Sequence, residues 1–317
     1  MTIEATLQRR TMARRVTFWR AFAFLALAAA LIAALWALGA FRGLALGPHI
    51  ARVAISGAVT EDRELIDLMR KLGRDPRVAG VVLSVDSPGG TAVGGEAIYM
   101  AVRDLAAKKP VVTSVGTLAA SAGYMIAAGS DHIVARNTSI IGSIGVIIQL
   151  PNADKLLETI GVDVVSVKST PLKGEPSAFD PVQPEAKEML QRLVNSSYGW
   201  FVDLVAERRP LSRAETLRLA DGSVYSGLQA LDLKLIDAIG GEDEAIAWMV
   251  AERGVAPNLK LRDHKASEGG LAGAFTAWFT PRDVGADAAH AVMKEIKELA
   301  PRGLFLDGLV SVWQGNR

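Results

Sequence analysis

VAGVVLSVDSPGG, residues 78–90, is the stretch on which the fold class turns. From Val78 to Val85 it is an almost unbroken apolar run rich in β-branched valine, and it stops abruptly at Asp86-Ser87-Pro88-Gly89-Gly90. A strand covered on one face alternates polar with apolar residues. A continuous run of this length predicts a strand covered on both faces, as in a parallel sheet flanked by helices.

The flanks agree with that reading. Upstream, HIARVAIS (49–56) alternates as a strand, and 61–72 carries helical spacing at Leu65, Ile66, Met69 and Leu72. Downstream, a helix reaches about Lys108, Pro110–Val115 reads as a short buried strand, and a small-residue segment follows from Leu118 to Gly129. Further strands are predicted over 132–135, 140–150 and 163–168, with a helix over 153–160. After a Pro-, Ser- and Gly-rich loop (169–184) comes a long helix, 185–208. Its stripe is Leu190, Leu193, Val194, Phe201, Leu204 and Val205, and Pro210 stops it. Residues 215–240 form a small α/β ending. Strands alternating with helices predict βαβ crossovers and a mainly parallel sheet. The expected α/β domain covers 46–254. Residues 255–317 form an extension of undefined role, with a charged helix over 286–299.

The N-terminus reads differently. AFAFLALAAALIAALWALGAF, residues 21–41, carries no charge between Arg20 and Arg42. At about 1.5 Å per residue, some 20 residues span the roughly 30 Å of a bilayer core. Arg9, Arg10, Arg14, Arg15 and Arg20 precede it against a single Glu4, so the positive-inside rule keeps residues 1–20 cytoplasmic and sends the rest across. A cleaved signal peptide would need a shorter apolar core, and Leu38-Gly39-Ala40 is a weak cleavage site. A buried core helix would show an amphipathic pattern that is missing. The expectation is a single-pass anchor.

Composition narrows the chemistry. A net charge of +1 gives no case for nucleic acid, and the absence of cysteine excludes disulfides, thiolate metal sites and a cysteine nucleophile. No H-x-x-x-H pair or dense carboxylate set predicts a metal, so no cofactor is expected.

Two clusters remain. Gly89 and Gly90, at a strand end, would let backbone N–H groups approach a substrate as an oxyanion hole requires, or they form an ordinary Pro-Gly turn. Ser121, in Ala119-Ala120-Ser121-Ala122-Gly123-Tyr124, has small neighbours that leave its Oγ unobstructed; the same small residues would also suit close helix packing. A serine nucleophile needs a base. His49, His264 and His290 lie near the membrane exit or in the tail, and His132 reads as a turn residue. A lysine can serve when burial brings an ammonium from about 10.4 to about 7.5, roughly 4 kcal/mol of disfavoured charge. Lys168 and Lys173 both lie near the loop after the predicted 163–168 strand, and the residues alone leave the choice open.

Together, SPGG (87–90), ASAGYM (120–125), GSIGV (142–146), KSTPLKGEPSAFDP (168–181) and LADGSVYSGLQALDLKLIDAIGG (219–241) resemble the signal peptide peptidase A (protease IV) family over about 49–241. The resemblance implies a crotonase/Clp-protease-like fold and a serine endopeptidase in the bacterial inner membrane with its catalytic domain outside the cytoplasm. Its expected substrates are signal-peptide remnants and other unfolded chains. It implies Ser121 as nucleophile, Lys173 as general base, Ser143 as the hydroxyl holding the amine, and Gly89 or Gly90 with the Ala122 N–H as oxyanion hole. It also implies a ring-shaped homo-oligomer in which serine and lysine come from neighbouring copies. Ala122 stands where the family usually has glycine, and the added methyl is expected to narrow the site. Lys234 stands where glycine is common, at a helix end. Other readings are a crotonase-like acyl-CoA enzyme, which would want a catalytic carboxylate near the site, and a non-catalytic membrane scaffold of the same fold.

Overall fold

A computed structural model of the chain describes residues 19–20, 22–32, 47–266 and 310–312. It divides into two units, 1–48 and 49–317. In the first, residues 22–32 are helical and exposed, and Trp19 meets Phe22 edge-on at 5.8 Å. Residue 21 and residues 33–41 of the expected anchor lie outside the described residues. No described helix is long and apolar enough to cross a membrane. The charged helix expected over 286–299 also lies outside the described residues.

The second unit holds the sheet. Its strands are β1 (His49–Val59), β2 (Val78–Thr91), β3 (Val111–Ala120), β4 (His132–Ala135), β5 (Ile140–Gly142), β6 (Val224–Ser226), β7 (Ala238–Ile239), β8 (Lys260–His264) and β9 (Val310–Val312). Its helices are α1 (Arg63–Arg74), α2 (Ala92–Ala106), α3 (Ala122–Ala128), α4 (Asp154–Ile160), α5 (Pro184–Arg208), α6 (Arg213–Leu219), α7 (Gly227–Asp232) and α8 (Glu242–Arg253). The sheet runs β6-β5-β3-β2-β1-β8. Further along β3 it also carries β4, which pairs with β7, and β9 pairs with β2. All pairs are parallel except β5–β6 and β2–β9.

The apolar run that set the fold class is β2, and it is covered on both faces. Val81, Leu83 and Val85 join the larger core beneath α1–α3 and α5, whereas Val82 packs with Ile50, Val112, Val134, Ala245 and Met249 under α8. Each face therefore removes its own apolar side chains from water, at about 25 cal/mol per Å².

Four sequence expectations change. The Ser87-Pro88-Gly89-Gly90 cluster is not a turn: β2 continues to Thr91 after a register shift against both neighbours. Gly90 fits there because a Cβ would lie 1.9 Å from the Val59 carbonyl oxygen, and Gly89 has a φ of 109°. The 140–150 strand shortens to Ile140–Gly142, and 163–168 is an exposed segment outside any strand. Among the described residues, 143–150 keeps only a single bridge residue, Ile147, and 163–168 pairs with no strand. The sheet also continues beyond Gly254, because β8 pairs with β1 from His49–Lys260 to Val53–His264.

Candidate active site

Ser121 stands between β3 and α3, and its backbone is unusual: φ 55°, ψ −118°. An L-residue there is strained by about 1–3 kcal/mol and holds only if the surroundings impose it. They do. The Ser121 N–H donates to the Gly142 carbonyl at 2.8 Å, and its own carbonyl accepts from the Met125 N–H at 2.9 Å. The β3 side of that corner is pinned by β5, through Ala120 opposite Gly142. The helix side is pinned by Tyr124, fully buried, whose hydroxyl donates to the Leu235 carbonyl at 2.8 Å. Burial pushes the Tyr124 phenol well up, so it stays a neutral donor.

Ser143 is the other strained serine, at φ 51°. Its N–H donates to the Ser223 carbonyl at 2.7 Å, continuing the β5–β6 pairing. Ser121 and Ser143 line one pocket of about 460 Å³, shared with Gly145, Val146 and Ile147 on one side. The opposite wall is Tyr198, Ala220, Asp221 and Gly222. The Tyr198 hydroxyl donates to the Ala220 carbonyl at 2.7 Å, which fixes that wall to α5. The Asp221 carboxyl is held below its ordinary range by hydrogen bonds from Ser223.

This wall was not among the residues singled out from the sequence. Ala220 to Gly222 lie inside the closing motif quoted above, so the motif was the available signal. Tyr198 gave none, because its helical spacing with Val194 and Phe201 reads as core packing, and it does pack against the core.

The glycine cluster lies beside the Ser121 corner. Ser87 is fully buried; its Oγ donates to the Gly57 carbonyl at 2.6 Å and accepts from the Gly89 N–H at 3.2 Å. A Cβ on Gly123 would come within 2.8 Å of the Ser87 carbonyl oxygen, so α3 starts against the end of β2. The Ala122 methyl does not narrow the pocket as expected. It faces α2, where a Cβ placed on Gly95 would be 3.0 Å from it, and Ala122 does not line the pocket.

The lysines are elsewhere. Lys173 is exposed in a turn, its N–H donating to the Thr170 carbonyl at 3.1 Å, and neither it nor Lys168 lines the Ser121 pocket. Lys168 is paired with Glu175. The surrounding segment is unusually apolar for its exposure: Val165 and Val167 are 86% and 97% exposed, and Ile147, Leu150, Leu172 and Phe179 are also exposed. His132 is not near the pocket either. It stacks on Trp248 at 4.6 Å and lies 3.8 Å from the Asp237 carboxylate, itself held by Arg209 at 2.8 and 2.9 Å. Among the described residues no group of side chains could hold a metal ion.

A parallel α/β sheet with a strained serine at a strand-to-helix corner and a glycine-bearing strand beside it defines the Clp-protease class of domain, whose family model matches residues 52–142. The chain belongs to peptidase family S49, whose model matches residues 103–256. A Synechocystis sp. protein named as a candidate protease is 38% identical over 210 residues, covering 66% of this chain and 76% of its own. A Methanocaldococcus jannaschii protein, also named as a candidate protease, is 43% identical over 184 residues (58% of this chain, 59% of that one). An Enterococcus faecium protein named as a candidate signal peptide peptidase SppA is 38% identical over 188 residues, covering 58% and 54%. This chain thus matches only about three fifths of the Methanocaldococcus protein's length.

Proposed function

We propose that the chain is a serine endopeptidase, anchored through residues 21–41 in a bacterial cell membrane, that hydrolyses signal-peptide remnants and other unfolded peptides outside the cytoplasm. The observation that carries the reading is Ser121, held in a strained backbone and lining a pocket it shares with Ser143. Family membership supports the peptidase chemistry. The name of the Enterococcus relative supports the substrate class.

In the proposed reaction the neutral Lys173 amine takes the Ser121 proton as Oγ attacks the peptide carbonyl. The oxyanion is received by the N–H of Gly89 or Gly90 and that of Ala122. The C–N bond breaks, the lysine ammonium returns its proton to the leaving amine, and an acyl-Ser121 ester remains. Water, deprotonated by the same lysine, then hydrolyses the ester. Ser143 holds the amine in line.

Lys173 of one copy serves Ser121 of the next, within a ring of copies. Two observations support this: Lys173 does not line the Ser121 pocket of its own copy, and the segment carrying it exposes an apolar surface of the kind that marks an interface. Covering that segment with a neighbour removes water, which favours the neutral amine over the ammonium.

The test is hydrolysis of unfolded casein and a synthetic signal peptide by the full chain, with Ser121→Ala, Lys173→Ala and Lys168→Ala beside it. The reading expects a fall of at least about 10³-fold for the first two, with circular dichroism unchanged, and retained activity for the third. Unchanged hydrolysis by Ser121→Ala would overturn it.

A further inference from the structure

Ser121 takes its place from α3, a helix of only seven residues, every one of them buried. A helix so short has too few internal hydrogen bonds to hold its own shape, so its surroundings must fix it. Two consecutive arginines where α5 ends, Arg208 and Arg209, supply much of that hold. Arg208 grips the far end of α3, donating from Nε to the Ala128 carbonyl and from Nη2 to the Ser130 carbonyl, both at 3.1 Å. Arg103 of α2 donates to the Gly129 carbonyl between them at 2.9 Å. These are carbonyls of the kind a helix end leaves without internal partners.

Arg209 reaches α3 from the side, through a relay. Its side chain is buried; Nε donates to the Lys234 carbonyl at 2.8 Å, while Nη1 and Nη2 fork onto the Asp237 carboxylate at 2.9 and 2.8 Å. Asp237 is itself fixed to β4. Its N–H donates to the Ile133 carbonyl at 2.9 Å, and its carboxylate accepts from the Ile133 N–H at 2.7 Å. The span 234–237 is thus held at both ends, and inside it the Leu235 carbonyl accepts from the Tyr124 hydroxyl at 2.8 Å. Tyr124 stands one helical turn past Ser121, beside Met125, whose N–H donates to the Ser121 carbonyl. A displaced Leu235 carbonyl would leave a fully buried hydroxyl without an acceptor, so the ring follows the carbonyl and the corner follows the ring.

We propose that Arg209 is a positioning residue for Ser121: with Asp237 it fixes the Leu235 carbonyl, which through Tyr124 sets where the serine corner lies. This rests on the peptidase reading of Ser121. A buried ion pair adds little net stability, because desolvation offsets the attraction, and its use here is to fix geometry. The fork matters more than the charge. A lysine at 209 keeps the charge but lacks the planar set of donors that serves the Lys234 carbonyl and both carboxylate oxygens together.

The test compares the full chain with Arg209→Lys, Tyr124→Phe and the two combined, at a temperature where circular dichroism shows each folded. Asp131→Asn is the control, because Asp131 bonds to Val111 and Arg253 rather than to 234–237. A misplacement of 1 Å costs about 10²-fold in rate. The expected result is a kcat about 10- to 100-fold lower in each single variant, with KM changed less than about 2-fold. The double variant should lose no more than the worse single, because both changes cut one relay. Asp131→Asn should lower the urea midpoint and keep kcat. Hydrogen exchange read by mass spectrometry needs no turnover: amides 121–125 should exchange at least about 10-fold faster in both single variants, with 111–115 unchanged. Wild-type kcat and exchange in Tyr124→Phe, which keeps the ring and so folds even where Arg209→Lys does not, would overturn the proposal. Losses that multiply in the double variant would overturn it too. Faster exchange at 121–125 with no hydrolysis by any chain, wild type included, would overturn the peptidase reading and leave the relay standing.

Discussion

At the scale of single residues, the site is marked by strain. Ser121 and Ser143 adopt positive φ without being glycine, and both line the same pocket. Strain of this kind is measurable. Ser121→Gly should be more stable than Ser121→Ala by about 1 kcal/mol in urea unfolding, because glycine alone adopts φ 55° with ψ −118° freely. Equal stability of the two would mean the corner is relaxed. The third such residue is Lys234, at φ 61° just after α7. Lys234→Gly should gain about 1 kcal/mol with unchanged activity, since its role is to leave a helix and lend its carbonyl to Arg209 at 2.8 Å. Ser121 and Ser143 were legible in the sequence because short motifs carry them. Their strain was not, because it depends on Gly142 and Ser223, which reach them from other strands.

Among elements, the β2 run showed its two-sided burial in its composition, and the βαβ alternation around it fixed the parallel sheet. Strands whose reality depends on a partner were the ones misread: 163–168 has strand-forming residues and pairs with no described strand. The helices bearing the site pack at small residues. Gly95→Ala on α2 would crowd the Ala122 methyl and the Met125 sulfur, each 3.0 Å from the new Cβ. A loss of about 1–3 kcal/mol is expected, with activity falling in step as α3 is pushed from the end of β2. On the opposite face of the sheet, His132 of β4 stacks on Trp248 of α8. Burial, the largest influence, lowers its pKa below the ordinary 6.5, although the Asp237 carboxylate works the other way. The unfolded chain therefore binds the proton first. His132 thus contributes stability that is present above about pH 6.5 and is lost as pH falls through its folded value. Urea midpoints between pH 7.5 and 5.5 should drop more for the wild type than for His132→Gln; equal drops would show that another group carries the dependence.

For the whole molecule, the informative feature is that the proposed base, Lys173, does not line the Ser121 pocket. A subunit that aligns Ser121, Ser143 and a glycine-bearing strand leaves Lys173 in an exposed apolar segment. The resemblance in the sequence carried this expectation; composition and periodicity did not, because neither speaks of what a second copy brings. The central claim is that two copies build one active site, and mixing tests it most directly. Ser121→Ala and Lys173→Ala chains, each expected to be inactive alone, are unfolded together, refolded as mixed assemblies and assayed on unfolded casein. The account predicts that activity returns, because some neighbouring pairs then bring an intact serine from one chain against an intact lysine from the other. Mixed assemblies, verified by two different tags, that remain as inactive as either parent would contradict it.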